Sequence, residues 1–494
     1  RYLDLARLLR RATGNPYPAL NVDAFGDVPN SSWFTNRNGR ERMSPREIVQ
    51  GPTTDSGPDT SGEWRIFRAK NEGASLGFHI IDSRDNRYLI KLDTKWNREL
   101  SSGAEVISAK ILHAAVYNVP QNNITVFDPA KVTLPDKEIT FEDRFGRKRP
   151  MTYADLDTIF DAAYVRPDGL VRGMASKYIE GVALGGWRYR GTRPDDPNDF
   201  IPHEHRREIR GLLVISAWLN HYDTNNGNTF DTYTTVDGNS YVKHYLIDFG
   251  GTLGASIEGP MPRTYGHQYF FDPHIAVLKV VTLGLYHPLY ERWDTIPYPA
   301  AGAWEARSYK PGRYRFLYPN LAFDNLTRAD GYWAAKIVMS FTDEQLHALA
   351  REGQYSNPAV APYIAEVLID RRDKTGRYYY SKVNPLDNFQ LRSLENGNYE
   401  LCFDDMAVEG GLTRAENTSY AYSIAPKCVC PQTDQPLPEG TCIPVRRADI
   451  PSAFSGFLVV AIRTLRASER PSRYVRVYLR KDIHGRLVLA GVER

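Results

Sequence analysis

Five polar residues carry the groups that transfer of a phosphoryl group to a hydroxyl requires. Asp223 closes the run Leu219-Asn220-His221-Tyr222-Asp223, and Asn228 follows it in Thr224-Asn225-Asn226-Gly227-Asn228. Asp248 then heads Asp248-Phe249-Gly250 at the end of the apolar run Tyr245-Leu246-Ile247. In such chemistry one carboxylate orients the attacking hydroxyl, while an amide oxygen and a second carboxylate hold a divalent cation on the phosphates. Oxygen-only ligands suit a hard ion, here Mg2+ or Mn2+ at Asn228 and Asp248. Upstream, Lys91 lies in Tyr88-Leu89-Ile90-Lys91-Leu92 and Glu105 in Gly103-Ala104-Glu105-Val106-Ile107. A lysine turned inward from an apolar strand needs an anionic partner, because an isolated buried charge is too costly. Glu105 is the natural one.

These groups need particular elements to bring them together. Trp64–Lys70, Leu76–Asp82 and Arg87–Asp93 alternate as strands, with Ser83–Asn86 as the turn between the last two. Gly73 and Gly77 fall between the first two strands, where glycine lets backbone N–H groups approach phosphate. An ordinary hairpin is the other reading of that pair. A helix over Ala104–Tyr117 carries Glu105, and strands are expected at Asn123–Asp128 and Val171–Gly181, with a polar excursion at Lys131–Pro150 and a helix at Tyr153–Ala163. A long helix over His203–Asn220, with Ile209, Leu212, Leu213, Ser216, Ala217 and Leu219 as its buried stripe, leads to Asp223. His203-Glu204-His205 at its start places the histidines at i and i+2, off a common helix face, so a solvated first turn is read in preference to a metal site. A hairpin, Thr229–Val236 and Ser240–Ile247 about Asp237-Gly238-Asn239, returns Asp248 to Asn228.

The order Lys91, Glu105, Asp223, Asn228, Asp248, each on its own type of element, resembles the protein-kinase-like superfamily. Asp223 with Asn228 is similar to the catalytic loop, and Asp248-Phe249-Gly250 to the metal-binding turn. The resemblance covers about Glu63 to Arg372. It implies ATP as the nucleotide, Asp223 as the residue that orients the acceptor, Lys91 held by Glu105 on the phosphates, and Tyr178, Ile179 and Glu180 as the hinge against the adenine edge. Three departures (Tyr222 in place of the catalytic-loop arginine, an incomplete glycine loop, no Ala-Pro-Glu) point to the atypical branches: HipA-like, type II phosphatidylinositol 4-kinase-like and CotH-like kinases. The implied activity is an atypical ATP-dependent phosphotransferase acting on a protein, lipid or small-molecule hydroxyl. A pseudokinase scaffold of a cell-envelope or surface assembly is the alternative, and nucleotidyl transfer by the same groups stays open.

The remaining sequence frames this core. The chain has 494 residues and a net charge of +3, too small a bias to imply a nucleic-acid partner. It has no run of about eighteen apolar residues, hence no expected transmembrane segment. The expected fold class is α+β: a two-lobed kinase-like fold with an amino-terminal arm (1–62), an amino lobe (63–128), a helical lobe (129–375) and an all-β, sandwich-like carboxy-terminal domain (376–494). Within the arm, Trp33 and Phe34 read as anchors. The linker Trp187–Pro202 reads as a surface loop, Ala276–Tyr286 as a buried helix, and Tyr332–Met339, Asp343–Arg351 and Ala359–Arg372 as further helices, the last ending in a solvated Arg371-Arg372-Asp373-Lys374. All four cysteines, Cys402, Cys428, Cys430 and Cys442, fall in the β-domain. Their placement favours two disulfides over zinc, which prefers a C-x-x-C knuckle, and so an extracytoplasmic location. The β-domain is the candidate surface for a protein partner.

Overall fold

The computed structural model describes residues 10, 16–143, 145–256, 258–269, 272–292, 296–426, 434–450, 456–466 and 471–494. Nearly all of Tyr2–Arg11, where the spacing of Leu3, Leu5, Leu8 and Leu9 predicts a short amphipathic helix, lies outside them, as do Cys428 and Cys430.

Residues 16–62 are stitched into the body. Val28, Trp33, Phe34 and Ile48 join the core of the helical lobe. Trp33 stacks on His244 at 3.5 Å between ring centroids and meets Trp187 and His203 edge-on. This stretch also holds helix α1 (Pro45–Gln50), absent from the sequence reading although Ser44-Pro45-Arg46-Glu47 spells it: Ser44 and Glu47 cap each other's backbone and proline sits at the first turn.

The amino lobe is one sheet. Strands β1 (Trp64–Ala69), β2 (Gly77–Ile81) and β3 (Arg87–Leu92) form an antiparallel meander. Trp64, Ile66, Phe78, Ile80, Tyr88 and Ile90 supply the buried face. Strand β2 crosses β3 so closely at Gly77 that a Cβ there would lie 2.0 Å from the Ile90 carbonyl oxygen. Helix α2 (Leu100–Ala114) starts a turn earlier than the sequence reading has it and packs on strand β4 (Asn122–Phe127). Strand β5 (Val132–Thr133) runs parallel to β1 at the sheet edge. Strands β6 (Thr140–Glu142) and β7 (Lys148–Pro150) form the polar hairpin, followed by α3 (Tyr153–Ala162) and β8 (Val171–Lys177). The sheet order is β4-β8-β3-β2-β1-β5, which puts β8 beside β3 and makes it the last strand before the helical lobe.

Because β5 and β8 belong to the amino-lobe sheet, the helical lobe begins not at residue 129, as expected, but with β9 (Val182–Gly185), which the sequence reading leaves out. It pairs with β10 (Thr229–Val236), itself paired with β11 (Asn239–Leu246). Helix α4 (Arg207–Leu219) is buried along most of its length, and Asn220 caps it in the left-handed conformation at φ 55°. A short ribbon, β12 (Ala255–Ser256) and β13 (Gly259–Pro260), precedes α5 (Pro273–Val281), and α6 (Arg328–Met339), α7 (Asp343–Arg351) and α8 (Val360–Tyr380) complete the lobe.

Four local expectations are overturned here. Helix α5 is not buried: no residue of it is, and Val280 is 74% and Leu283, just beyond, 91% exposed. An apolar pattern on most sides reports the lack of a polar face, not the presence of a neighbour. The His203–His205 turn is a separate 3-10 turn before α4, and His203 is buried, with Nε2 2.7 Å from Asp199 Oδ2. The linker 187–202 is anchored by buried side chains, Trp187 and Tyr189 being core residues and Arg193 bridging to Asp231 at 2.9 Å, although Phe200 stays 79% exposed. Arg371 is no solvated terminus. Helix α8 runs on to Tyr380, and the buried Arg371 guanidinium donates to the Trp218 carbonyl at 2.8 Å and the Ala217 carbonyl at 2.6 Å. A cation there satisfies the unpaired carbonyls at the end of α4.

The carboxy-terminal strands are β14 (Leu386–Ser393), β15 (Tyr399–Asp405), β16 (Thr418–Ala425), β17 (Gln435–Leu437), β18 (Cys442–Val445), β19 (Leu458–Arg466), β20 (Val475–Lys481) and β21 (Leu487–Glu493). They make two sheets, β14-β15-β18 and β17-β16-β19-β20-β21, whose apolar faces share a core that includes Leu401, Phe403, Ile443, Val460 and Val477. Cys402 and Cys442 face each other across β15 and β18 and are joined by a disulfide. Asp387 ties this sandwich to α6, accepting from Lys336 Nζ at 2.7 Å and Tyr332 OH at 2.9 Å. The whole is an α+β, two-lobed kinase-like fold with an all-β region at its carboxy end.

Candidate active site

Period-two alternation decides where Lys91 points. Tyr88, Ile90 and Leu92 fill the sheet core, so Leu89 and Lys91 take the opposite face. Helix α2 lies against that face and presents Glu105 one turn from its start. Lys91 Nζ is 3.0 Å from Glu105 Oε2 and 2.8 Å from Asp248 Oδ1. Side-chain exposure grades from 4% at Glu105 through 14% at Lys91 to 48% at Asp248. The electrostatics follow that gradient. Burial opposes the Lys91 charge, but the Glu105 and Asp248 carboxylates outweigh it and hold the ammonium above the ordinary lysine range. Burial pushes Glu105 up, against the pull of Lys91. Asp248, half in solvent, is held below the usual carboxylate range: Lys91 overcomes the cost of its partial burial.

The Asp248-Phe249-Gly250 turn is fixed from beneath. Phe249 is fully buried, and its N–H donates to Glu105 Oε1 at 3.2 Å. Asp248 itself is left-handed at φ 64°, a conformation costly to a non-glycine residue and over-determined here by its neighbours. Gly250 passes so near α2 that a Cβ would lie 2.6 Å from Ser101 Oγ. Thr252 Oγ1 then donates to the Phe249 carbonyl at 2.7 Å and accepts from Ser108 Oγ at 2.7 Å, docking the turn on α2.

The catalytic-loop candidates form a second clasp. Asn228 Nδ2 donates to the Asp223 main-chain oxygen at 2.7 Å and to Asp223 Oδ2 at 3.1 Å, while Asn225 Nδ2 donates to Asp223 Oδ1 at 2.6 Å. Asp223 is thus held by two amides, and Asn225 is a site residue that the sequence reading passed over. The two clasps are joined by main chain: the Ile247 N–H donates to the Asn228 carbonyl at 3.1 Å, setting Asp248 next to that loop. His221 is buried with its ring 5.9 Å from Phe249, edge to face, and burial keeps it neutral by lowering its pKa. The Tyr222 ring lies 4.5 Å from that of Tyr265.

The other nominated residues lie around this centre. Gly73 is in the β1–β2 turn at φ 72°, and Gly77 pairs directly with Lys91 across β2 and β3. Tyr178, Ile179 and Glu180 connect β8 to β9, between the lobes. Tyr178 OH lies 2.8 Å from His79 Nδ1, so its ring folds back onto the sheet. Arg371 was also missed: it anchors the end of α4, four residues before the Asp223 loop, and nothing in a charged Arg-Arg-Asp-Lys run marks it as buried.

The donor set fits a divalent cation. Asp248 Oδ2 and Asn228 Oδ1 have no protein hydrogen bond among the described residues, while the opposite atoms of both side chains are tied down. Among the described residues, Glu400, Cys402 and Cys442 lie at metal-ligand spacing, but the two cysteines are joined in the disulfide.

No family model matches the chain, and no curated protein matches it. Solved structures do. The Golgi casein kinase aligns at 11% identity over 77% of this chain and 87% of that one, with a TM-score of 0.32. The Helicobacter pylori proinflammatory kinase CtkA aligns at 11% over 64% and 96%, with a TM-score of 0.33. The Golgi casein kinase with Mn/ADP bound aligns at 10% over 70% and 80%, again at 0.33. At TM-scores this low the likeness carries no argument.

Proposed function

We propose that this chain is an atypical, metal-dependent phosphotransferase that uses ATP and acts on a hydroxyl outside the cytoplasm. The observation that carries the reading is the convergence of Lys91, Glu105 and Asp248 on one side with Asp223 and Asn228 on the other, joined by the Ile247–Asn228 hydrogen bond. A Mg2+ or Mn2+ ion held by Asp248 and Asn228 would neutralise charge on the phosphate oxygens. Lys91, kept charged by Glu105, would do the same from the amino lobe. Asp223, its carboxylate fixed by Asn225 and Asn228, would accept a hydrogen bond from the acceptor hydroxyl and aim it at phosphorus. The backbone of Ile179 and Glu180, without main-chain hydrogen bonds among the described residues, would take the adenine edge. The cross-strand disulfide between Cys402 and Cys442 supports an oxidising compartment. No helix among the described residues is long and apolar enough to cross a membrane.

The test is thermal stability with ATP, with and without Mg2+ or Mn2+, on wild type and Asp248→Asn. A metal-dependent rise in Tm that the variant loses supports the reading. Metal-independent behaviour, or no rise in wild type, refutes it and favours the inactive scaffold, with the β-sandwich as its docking domain.

A further inference from the structure

The turn between β1 and β2 has no Gly-x-Gly-x-x-Gly, yet it is built around a charge. Lys70 leaves the end of β1 half-buried, and its ammonium is ringed by the turn's own carbonyls: Glu72 at 2.5 Å, Ser75 at 2.9 Å and Gly73 at 3.4 Å. No carboxylate of the described residues pairs with it. The turn's single carboxylate, Glu72, is taken at 2.7 Å by Arg68. The turn is also pinned from outside, where Asn71 Nδ2 donates to the Thr140 carbonyl at 3.0 Å and Asn71 Oδ1 accepts from the Glu142 N–H at 3.0 Å. The N–H groups of residues 72–75 have no main-chain partner among the described residues. Drawing three carbonyls onto one cation in so short a turn leaves these donors free, the arrangement that elsewhere cradles anions. The turn also lies beside the clasp: Ala69 pairs with Phe78 and Gly77 with Lys91, so Lys70 leaves β1 next to the β2–β3 rung that carries Lys91.

A half-buried ammonium held by three carbonyls, with no carboxylate of the described residues in contact, is a costly feature for a simple turn. We propose that Lys70 is a positioning residue for the phosphates of a nucleoside triphosphate: it cinches the β1–β2 turn by its carbonyls, frees the turn's N–H groups, and sets a second positive charge beside Lys91 where glycines are missing. This inference rests on the nucleotide reading above.

Calorimetric titration of wild type, Lys70→Met and Lys70→Arg with Mg2+-ATP and with adenosine tests it, with a melting curve of each variant as the check on folding. Lys70→Met should weaken ATP by about ten- to a hundredfold, the range for losing contacts to a charged group. It should leave adenosine unchanged, while Lys70→Arg should stay within about threefold of wild type for both. Equal weakening of ATP and adenosine, or ATP binding by Lys70→Met equal to wild type, overturns the inference and leaves the nucleotide site standing. Failure of wild type to bind ATP overturns both.

Discussion

Replacing Lys91 by methionine isolates the charge balance at the centre of the cleft. The substitution keeps an unbranched side chain of similar length and removes one positive charge shared by two carboxylates at 3.0 and 2.8 Å. Glu105 is then left almost fully buried without a counter-ion, which costs about 3–5 kcal/mol for a broken buried pair. Asp248 is half in water, so its share is screened to about 1 kcal/mol or less. Glu105 has one way out, which is to take a proton. Its pKa is already raised by burial, and losing Lys91 raises it further. The folded state of the variant therefore binds a proton that the unfolded chain releases above the ordinary glutamate pKa, and stability falls as pH rises between the two values. Urea denaturation should show Lys91→Met several kcal/mol below wild type at pH 8 and much closer to it at pH 5. Lys91→Met/Glu105→Gln should recover most of the loss at pH 8. A single variant as stable as wild type at pH 8, or a double variant no better than the single, would refute the buried-pair reasoning.

Three further outcomes are expected. Burial, with Arg68 and Lys70 nearby, lowers the His79 pKa to about 4 from 6.5, so its stabilising contribution is full above pH 6.5 and lost as pH falls towards 4; up to about 3 kcal/mol is at stake, and His79→Gln should flatten that limb of the stability–pH curve. The Cys402–Cys442 disulfide spans 40 residues, for which loop-closure entropy gives roughly 4 kcal/mol; Cys402→Ser/Cys442→Ser should lower the denaturation midpoint of the β-sandwich, and an unchanged midpoint counts against the bond. Arg371→Ala removes the donors to the Ala217 and Trp218 carbonyls and leaves a hole beside Trp304 and Tyr309; a loss of about 3 kcal/mol follows from an uncapped helix end plus a cavity, measured by chemical denaturation, and a loss below 1 kcal/mol would mean that water replaces the guanidinium.

What was legible in the sequence was whatever depends on short range. Alternation over Arg87–Leu92 put Lys91 on the face it shares with Leu89, because side chains alternate with period two; that this face is the one against α2, opposite the sheet core, came from the fold. The apolar stripe of α4 and the Asp237-Gly238 turn settled that Asp223, Asn228 and Asp248 sit on consecutive elements. Partners distant in sequence were not legible. The burial of Arg371, Trp187 and His203 depends on carbonyls, rings and carboxylates contributed by other segments, which no local pattern reports. Lys70 reads in the chain as the polar end of a strand, and only the folded turn shows that it has three carbonyls and no carboxylate. Helix α5 failed in the opposite sense, since hydropathy measures what a surface avoids and not whether the fold covers it. Sequence by itself determined which groups exist and the order in which elements deliver them. Tertiary structure alone decided which charges share a cleft, because Lys91, Glu105 and Asp248 meet only when the sheet, α2 and the end of β11 pack together, and that packing is set by core shape rather than by the residues it brings into contact.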